Sequence, residues 1–310
     1  MENKIKIFQS GGWKDYELLD TGGGEKLERV GQYIFARPYE DAVWGKDKKI
    51  KEWGKIDGKF LSSKQGAKAG WQINNKDVLG KASHIKWEMD YKGIKFWAYP
   101  TPFRHLAFFP EQAVHWDFIE EQIKSAILAR TVLAKARPIK FLNLFGYTGV
   151  ASLFALRAGA EVTHLDASKQ TLNWAKENQN LNADLIDAPM RIIEDDAIKF
   201  LEREEKRGNK YDAIIMDPPK FGHGPKGEIW KIEEMLPKLL AQMKKVLSDK
   251  PLFLIITSYA IDSSSLSLGY ALSETMKSFE GVVEQGELCI TEKSNGRLIP
   301  LANTAVWFKR

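Results

Sequence analysis

The run Phe141-Leu142-Asn143-Leu144-Phe145-Gly146-Tyr147-Thr148-Gly149 constrains this chain more than any other. An apolar stretch of strand length breaks into a small-residue turn, and an alanine-rich helical pattern starts at once. Twenty residues beyond Gly146 a second apolar stretch ends in Asp166, and a later one ends in Asp217-Pro218-Pro219-Lys220-Phe221. Strand, turn and helix repeated in this order predict a parallel sheet covered by helices on both faces, with ligand-binding loops at the carboxyl ends of its strands.

The alternation extends through most of the chain. Strands are expected at 139–145, 161–166, 190–194, 211–217, 251–258, 282–291 and 302–309, with helices at about 149–158, 168–181, 196–207, 229–247 and 264–279. A long helix opens at Pro110-Glu111-Gln112, carries Trp116, Ile119, Ile123, Ile127 and Leu128 at three- and four-residue spacing, and stops at Pro138. Lys293-Ser294-Asn295-Gly296-Arg297 is too short to hold a helix, so the last two strands form an antiparallel hairpin. The fold class read from this pattern is α/β: a seven-stranded, doubly wound, Rossmann-like sheet with an antiparallel terminal hairpin, over residues 106–310.

Residues 1–105 read differently, as a smaller β-rich domain. Tyr33-Ile34-Phe35-Ala36 and Ile94-Lys95-Phe96-Trp97-Ala98-Tyr99 are short aromatic and β-branched runs, bounded by Gly22-Gly23-Gly24, Asp57-Gly58 and Asn74-Asn75-Lys76-Asp77. A small twisted antiparallel sheet or partial barrel is expected. This region holds 20 Lys+Arg against 14 Asp+Glu, whereas residues 106–310 hold 26 against 27. The whole basic excess of the chain therefore lies in its first third, which favours a polyanionic partner there. The segment Trp44 to Lys59 interleaves Lys46, Lys48, Lys49, Lys51, Lys55 and Lys59 with Trp53, a pattern suited either to RNA or to a plain solvated face.

A single cysteine, Cys289, leaves no internal disulfide and no cysteine zinc cluster, and the five histidines show no ligand spacing. No apolar run reaches the ~18–20 residues that cross a bilayer, and Met1 to Ser10 carries no apolar signal region. The expectation is a cytoplasmic protein without metal or membrane, and with a homodimer left open.

The turn after the first catalytic-domain strand suits a nucleoside cofactor. Gly146 and Gly149 permit strained turn geometry and close approach of backbone to ligand. Their spacing is G-x-x-G rather than the dinucleotide fingerprint, which weakens a nicotinamide cofactor without excluding it. Asn143 and Thr148 suit the aminoacyl group of S-adenosylmethionine (SAM). Asp166 is placed to accept ribose hydroxyls, against the competing reading that Asp166-Ala167-Ser168 only caps a helix. Asp195 and Asp196 end the next strand. Asp196 and the Ala197 N–H suit an adenine, while one of the two acids is expected to cap the following helix. In Asp217-Pro218-Pro219-Lys220-Phe221 the prolines force the chain out of the sheet, stiffen the turn and leave carbonyls to orient N–H groups of a planar acceptor. Phe221 offers a face for stacking.

Together, Asn143 to Gly149, Asp166, Asp195-Asp196 and Asp217 to Phe221 resemble the class I SAM-dependent methyltransferases, and in particular the bacterial large-subunit ribosomal RNA methyltransferases. The resemblance covers about residues 105–310. Phe108-Phe109-Pro110-Glu111-Gln112 resembles the segment preceding their catalytic domain, and Glu17 to Gly24 with Lys26-Leu27-Glu28 resembles the leading β-domain of one branch. The resemblance implies that Gly146, Tyr147, Thr148 and Gly149 bind the methionine part, Asp166 the ribose, Asp196 the adenine, and Asp217 to Phe221 the acceptor, with Asp217, Pro218, Pro219 and Phe221 as the catalytic residues. Gln112, Asn143, Phe145, Ala167, Ser168, Asp195, Ala197 and Asp217 are further expected cofactor-binding residues. The cytosine-C5 branch needs a cysteine at the end of strand five or in the strand-four loop. Here those places hold Ile256-Thr257-Ser258-Tyr259 and Lys220, so nitrogen, or else oxygen, methylation of an RNA base is expected. A small-molecule or protein methyltransferase, with the N-terminal domain as lid or dimer surface, is the alternative. A non-enzymatic nucleotide-binding protein is a third reading.

Overall fold

The computed structural model describes residues 4–62, 69–75, 86–132, 137–186, 188–259 and 263–309. Met1 to Asn3 and the Lys76-Asp77 half of the expected turn lie outside the described residues. The chain divides into two compact units, one of Met1–Phe8, Gln112–Leu288 and Leu301–Arg310, the other of Gln9–Glu111 and Cys289–Pro300.

The chain opens with strand β1 (Ile5–Gln9). The smaller unit then builds β2 (Tyr16–Gly22), β3 (Glu25–Val30), β4 (Tyr33–Pro38), β5 (Gly58–Leu61) and β6 (Gly70–Ile73), which form one sheet in that order, and β7 (Trp87–Tyr91) and β8 (Ile94–Ala98), which form a separate hairpin. The sheet is not wholly antiparallel as expected: β4 and β5 pair in parallel. The long connection from Pro38 to Gly58, which contains a 3-10 turn at Lys51–Gly54, carries the chain back to run in the same direction.

A charged cluster is sealed inside this unit. Arg37 Nε and Nη2 donate to the two oxygens of Glu28 at 2.6 and 2.7 Å, Tyr16 Oη donates to Glu28 Oε1 at 2.8 Å, and Lys26 Nζ stands 3.2 Å from it. Burial alone would raise the Glu28 carboxyl, but Arg37 and Lys26 outweigh it and hold its pKa down at about 2.

The larger unit continues with α1 (Ala113–Val132), β9 (Lys140–Leu144), α2 (Val150–Arg157), β10 (Glu161–Asp166), α3 (Lys169–Asn180), β11 (Arg191–Glu194), α4 (Ala197–Lys206) and β12 (Ala213–Met216). A short hairpin follows, β13 (Phe221–His223) and β14 (Ile229–Lys231). The unit then runs through α5 (Ile232–Lys245), β15 (Phe253–Ser258), α6 (Ser265–Met276), β16 (Val282–Thr291) and β17 (Leu298–Phe308). The sheet order is β1-β16-β17-β15-β12-β9-β10-β11. Strands β9 to β12 and β15 pair in parallel, and β17 runs antiparallel to β15, so the terminal hairpin lies where the short Lys293–Arg297 turn predicts.

The sheet has eight strands where seven were expected, because β1 adds to the edge beyond β16. The β13–β14 hairpin was also not anticipated. Strands β9, β12 and β15 are mostly apolar and buried because both faces are covered. Leu142, Leu144, Ile214, Met216, Leu254 and Ile256 pack with Leu239, Met243, Leu268 and Leu272 from α5 and α6. On the other face Phe118 of α1 meets Phe253 edge-on at 5.4 Å. Trp116, Ile119 and Ile123 are buried as the helical spacing predicts, but Leu128 points outward and is 68% exposed.

Candidate functional site

The order of strands reverses between β9 and β12, and in an open α/β sheet that is where a crevice opens beyond the carboxyl ends. The loop leaving β9 is strained. Phe145, Tyr147 and Gly149 all have positive φ, at 58°, 52° and 81°, a conformation that costs a non-glycine residue about 1–3 kcal/mol. The surrounding structure enforces it. Gly146 N–H donates to Leu165 O at 2.9 Å, Tyr147 N–H to Asp166 Oδ2 at 2.9 Å, and the Asn178 amide to Thr148 O at 2.9 Å.

The left-handed Gly149 fits the strained turn its sequence suggests, and both glycines also serve packing within the chain. A Cβ at Gly146 would collide with the His164 ring, and one at Gly149 would lie 3.0 Å from Ala175 Cβ. The close approach they permit is to this chain's own β10 and α3. Asn143 likewise turns inward: its amide nitrogen donates to Ser152 Oγ at 3.0 Å, and Ser152 Oγ lies 3.0 Å from His164 Nδ1. Full burial keeps His164 neutral, with its pKa lowered to about 4, and its Nε2 has no hydrogen-bond partner.

Asp166 and Ser168 divide the work that the sequence left open between them. Ser168 is the N-cap of α3, accepting from Thr171 N–H. Asp166 takes one backbone N–H on each oxygen, Tyr147 on Oδ2 and Ser168 on Oδ1 at 2.9 Å. A carboxylate offers about four lone-pair sites, so this half-exposed group keeps acceptor capacity. At the end of β11, Asp196 caps α4 by accepting from Lys199 N–H at 3.0 Å. Asp195 accepts from Asp196 N–H at 2.9 Å and pairs with Arg203. Asp195 N–H in turn donates to Asp166 O at 3.2 Å, which ties the two acid-bearing strand ends together. Ala167 lies half-exposed between Asp166 and Ser168, and Ala197 begins α4, buried.

The loop after β12 leaves the sheet at Asp217-Pro218 beside the β9 loop; Asp217 N–H donates to Leu144 O at 3.4 Å. Not all of its carbonyls are available, contrary to expectation. Trp230 Nε1 donates to Pro219 O at 2.6 Å, and Ile232 N–H donates to Lys220 O at 3.1 Å. Trp230 also meets the Phe145 ring edge-on at 5.0 Å, so one buried indole braces both loops. Sequence reasoning missed it; the signal was a lone tryptophan in a polar stretch just ahead of a helix. Phe221 is 56% exposed, and its ring meets His223 edge-on at 5.0 Å on the outer face of the β13–β14 hairpin.

Gln112 stands at the head of α1, where its amide nitrogen donates to Tyr259 Oη at 3.1 Å while its Oε1, though buried, has no partner. Ser258 Oγ, at the end of β15, is buried without a partner as well. Buried polar atoms almost always find partners, so orphans gathered at one end of a sheet point to a polar ligand there.

In the smaller unit the Trp44 to Lys59 segment differs from the expected stacking surface. Lys46 Nζ lies 3.7 Å over the Trp53 ring, Trp53 Nε1 donates to Asp20 at 2.7 Å, and Lys46 and Lys59 both pair with Glu25 at 2.6 Å. Trp53 is therefore an anchor for its own segment. Lys48, Lys49, Lys51 and Lys55 are exposed. Among the described residues no group of His, Cys, Asp and Glu gathers to hold a metal, and no helix is long and apolar enough to cross a membrane.

The family model for S-adenosylmethionine-dependent methyltransferase matches residues 122–265. The crystal structure of the SAM-dependent methyltransferase from Agrobacterium tumefaciens is 41% identical, covers 98% of this chain and 94% of that one, and superposes with a TM-score of 0.88. Ribosomal RNA large subunit methyltransferase K/L of Pseudoalteromonas translucida is 35% identical over 124 residues, which is 39% of this chain and 17% of that protein. Ribosomal RNA large subunit methyltransferase I of Tolumonas auensis is 41% identical over 106 residues, 34% of this chain and 25% of that protein. The match thus spans only a sixth to a quarter of the length of these curated relatives. The Agrobacterium structure, by contrast, is matched nearly from end to end, and on that likeness the chain belongs to the S-adenosylmethionine-dependent methyltransferases.

Proposed function

We propose that this chain methylates a nitrogen of an RNA base, ribosomal RNA being the leading substrate. The observation that carries the reading is the adjacency of two loops at the switch point. The strained Phe145–Gly149 loop with Asp166 beside it faces one side, and the rigid Asp217–Phe221 exit with an exposed aromatic ring faces the other.

The residues present fit the cofactor. Asp166 keeps acceptor capacity for two ribose hydroxyls. Asp196 and the Ala197 N–H present an acceptor and a donor for adenine. Gln112 Oε1, buried and unpaired among the described residues, accepts from an ammonium, while Asp166 and Asn178 hold the backbone of Tyr147 and Thr148. When bound, SAM supplies an electrophilic methyl on a sulfonium that leaves as a neutral thioether. The task left to the protein is alignment. Carbonyls of the Asp217-Pro218 turn orient the acceptor's N–H groups, and Phe221 stacks on the base. The nitrogen lone pair forms the new bond to carbon, and the displaced proton passes to solvent, so no metal or strong base is required.

The relatives named for ribosomal RNA support the substrate class, as do the exposed lysines of the smaller unit. The test is incubation with labelled SAM and RNA from a strain lacking the gene, followed by mapping of the modified nucleotide. Label at a defined base nitrogen is expected. Label only in protein or small molecules would transfer support to the alternative, in which the smaller unit is a lid or a dimer surface.

A further inference from the structure

We infer that Ser258 is a specificity residue of the acceptor site: its hydroxyl donates to a carbonyl oxygen or ring nitrogen on the edge of the acceptor base, beside the N–H that is methylated. This rests on the base-methylation reading above.

Residues of β15 alternate between two faces. Phe253 meets Phe118 of α1 at 5.4 Å, and Thr257 Oγ1 lies 3.4 Å from Thr304 Oγ1, which also meets His115 of α1 at 2.9 Å. Leu254 and Ile256 face the other way, into the core they share with Ile214, Met216 and Trp230. Ser258 continues that second row. It is the first polar residue in it, and it stands at the carboxyl end.

Register places it more closely. Met216 pairs with Ile256, the last register pair of β12 and β15, so Ser258 ends β15 on the strand next to the one from which the Asp217–Phe221 loop departs. In the sheet order β15 neighbours β12, and β9 lies one strand beyond, so Ser258 stands nearer to the strand that feeds the acceptor loop than to the one that feeds the Phe145–Gly149 loop. Trp230, which holds Pro219 O, belongs to the same side of the sheet.

Among the described residues the hydroxyl has no use. Ser258 is 1% exposed and its Oγ has no partner. Its position is held from both directions: Tyr259 receives the Gln112 amide at 3.1 Å, and Asn303, its register partner on β17, donates to Ser263 O at 2.8 Å. A buried polar group that is held in place and unpaired at the carboxyl end of β15, next to the strand that feeds the acceptor loop, has the marks of a preorganised recognition group.

The test compares wild type, Ser258→Ala and Ser258→Cys. The cysteine nearly preserves volume while weakening the donor, which covers the case in which the alanine variant folds poorly. Methyl transfer to the RNA fraction is measured alongside calorimetric SAM affinity and melting temperature. The expected result is a fall in kcat/KM for RNA of about tenfold in both variants, with SAM affinity within about twofold and melting unchanged or raised. Unchanged kcat/KM in a variant that folds overturns the assignment, and so does a loss confined to SAM affinity. Wild-type protein that binds SAM yet labels no RNA overturns the base-methylation reading and this assignment together, an outcome distinct from either of those.

Discussion

Gly146 shows how much of a residue's setting lies outside its own sequence. Its place in the turn after an apolar strand was legible, but the space a side chain would need is filled by His164. That fact was hidden because His164 and Gly146 are brought together only by the pairing of β9 with β10. Gly146→Ala should therefore destabilise the protein by about 2 kcal/mol through overpacking, readable in urea denaturation, before any effect on cofactor binding is counted. Asp166 was legible as a strand-end acid. Its double duty to Tyr147 and Ser168 was not, since both partners are backbone N–H groups placed by the fold. Trp230 was missed for a similar reason: its partners Pro219 and Phe145 lie on two other loops. Trp230→Phe keeps a ring and removes the donor. We expect methyl transfer to fall about tenfold with SAM affinity preserved, since the loss of one hydrogen bond loosens only the acceptor loop; equal loss of both would place Trp230 in the cofactor site instead.

At the scale of elements, the parallel strands and their helices were legible because local pattern and burial agree. Apolar runs such as Phe253 to Ile256 and capping residues such as Ser168 and Asp196 mark their own boundaries. The elements that escaped are held by long-range pairing. Strand β1 gains its place only by adding to β16, and β4 meets β5 in parallel only because the connection between them is long. The Glu28 cluster was equally invisible, because Lys26, Glu28 and Arg37 read as ordinary strand charges until β3 and β4 pair. Glu28→Gln removes the main counter-charge of buried Arg37 and Lys26, leaving them only the weaker influence of Glu111, and should cost about 3 kcal/mol in chemical denaturation. The pH dependence has a definite sign. The Glu28 carboxyl is depressed from 4.5 to about 2, so its contribution is full above pH 4.5 and is lost as pH falls toward 2.

Across the whole molecule, three histidines should dominate acid sensitivity at higher pH. Burial lowers His115 and His164 to about 3 and 4, and burial together with Arg37 lowers His105 to about 3, all from 6.5. Each is neutral in the folded chain and protonated below 6.5 in the unfolded one, so stability should decline as pH drops from 6.5 toward 3. The slope is up to about 1.4 kcal/mol per pH unit for each histidine, and a flat profile between pH 7 and 5 would contradict it. The basic excess of residues 1–105 motivates a test of the RNA contact proposed for its exposed lysines. Lys48→Glu with Lys51→Glu should weaken RNA binding by tenfold or more at low salt and reduce its salt dependence. Unchanged RNA affinity would place the contact elsewhere. The central claim, that the Phe145–Gly149 loop and Asp166 hold SAM, is tested most directly by calorimetry of the wild-type chain and Asp166→Ala against SAM and NADH. The account predicts binding of SAM by the wild type, a loss of about tenfold or more in the variant, and no binding of NADH. Tight NADH binding with none of SAM would contradict it.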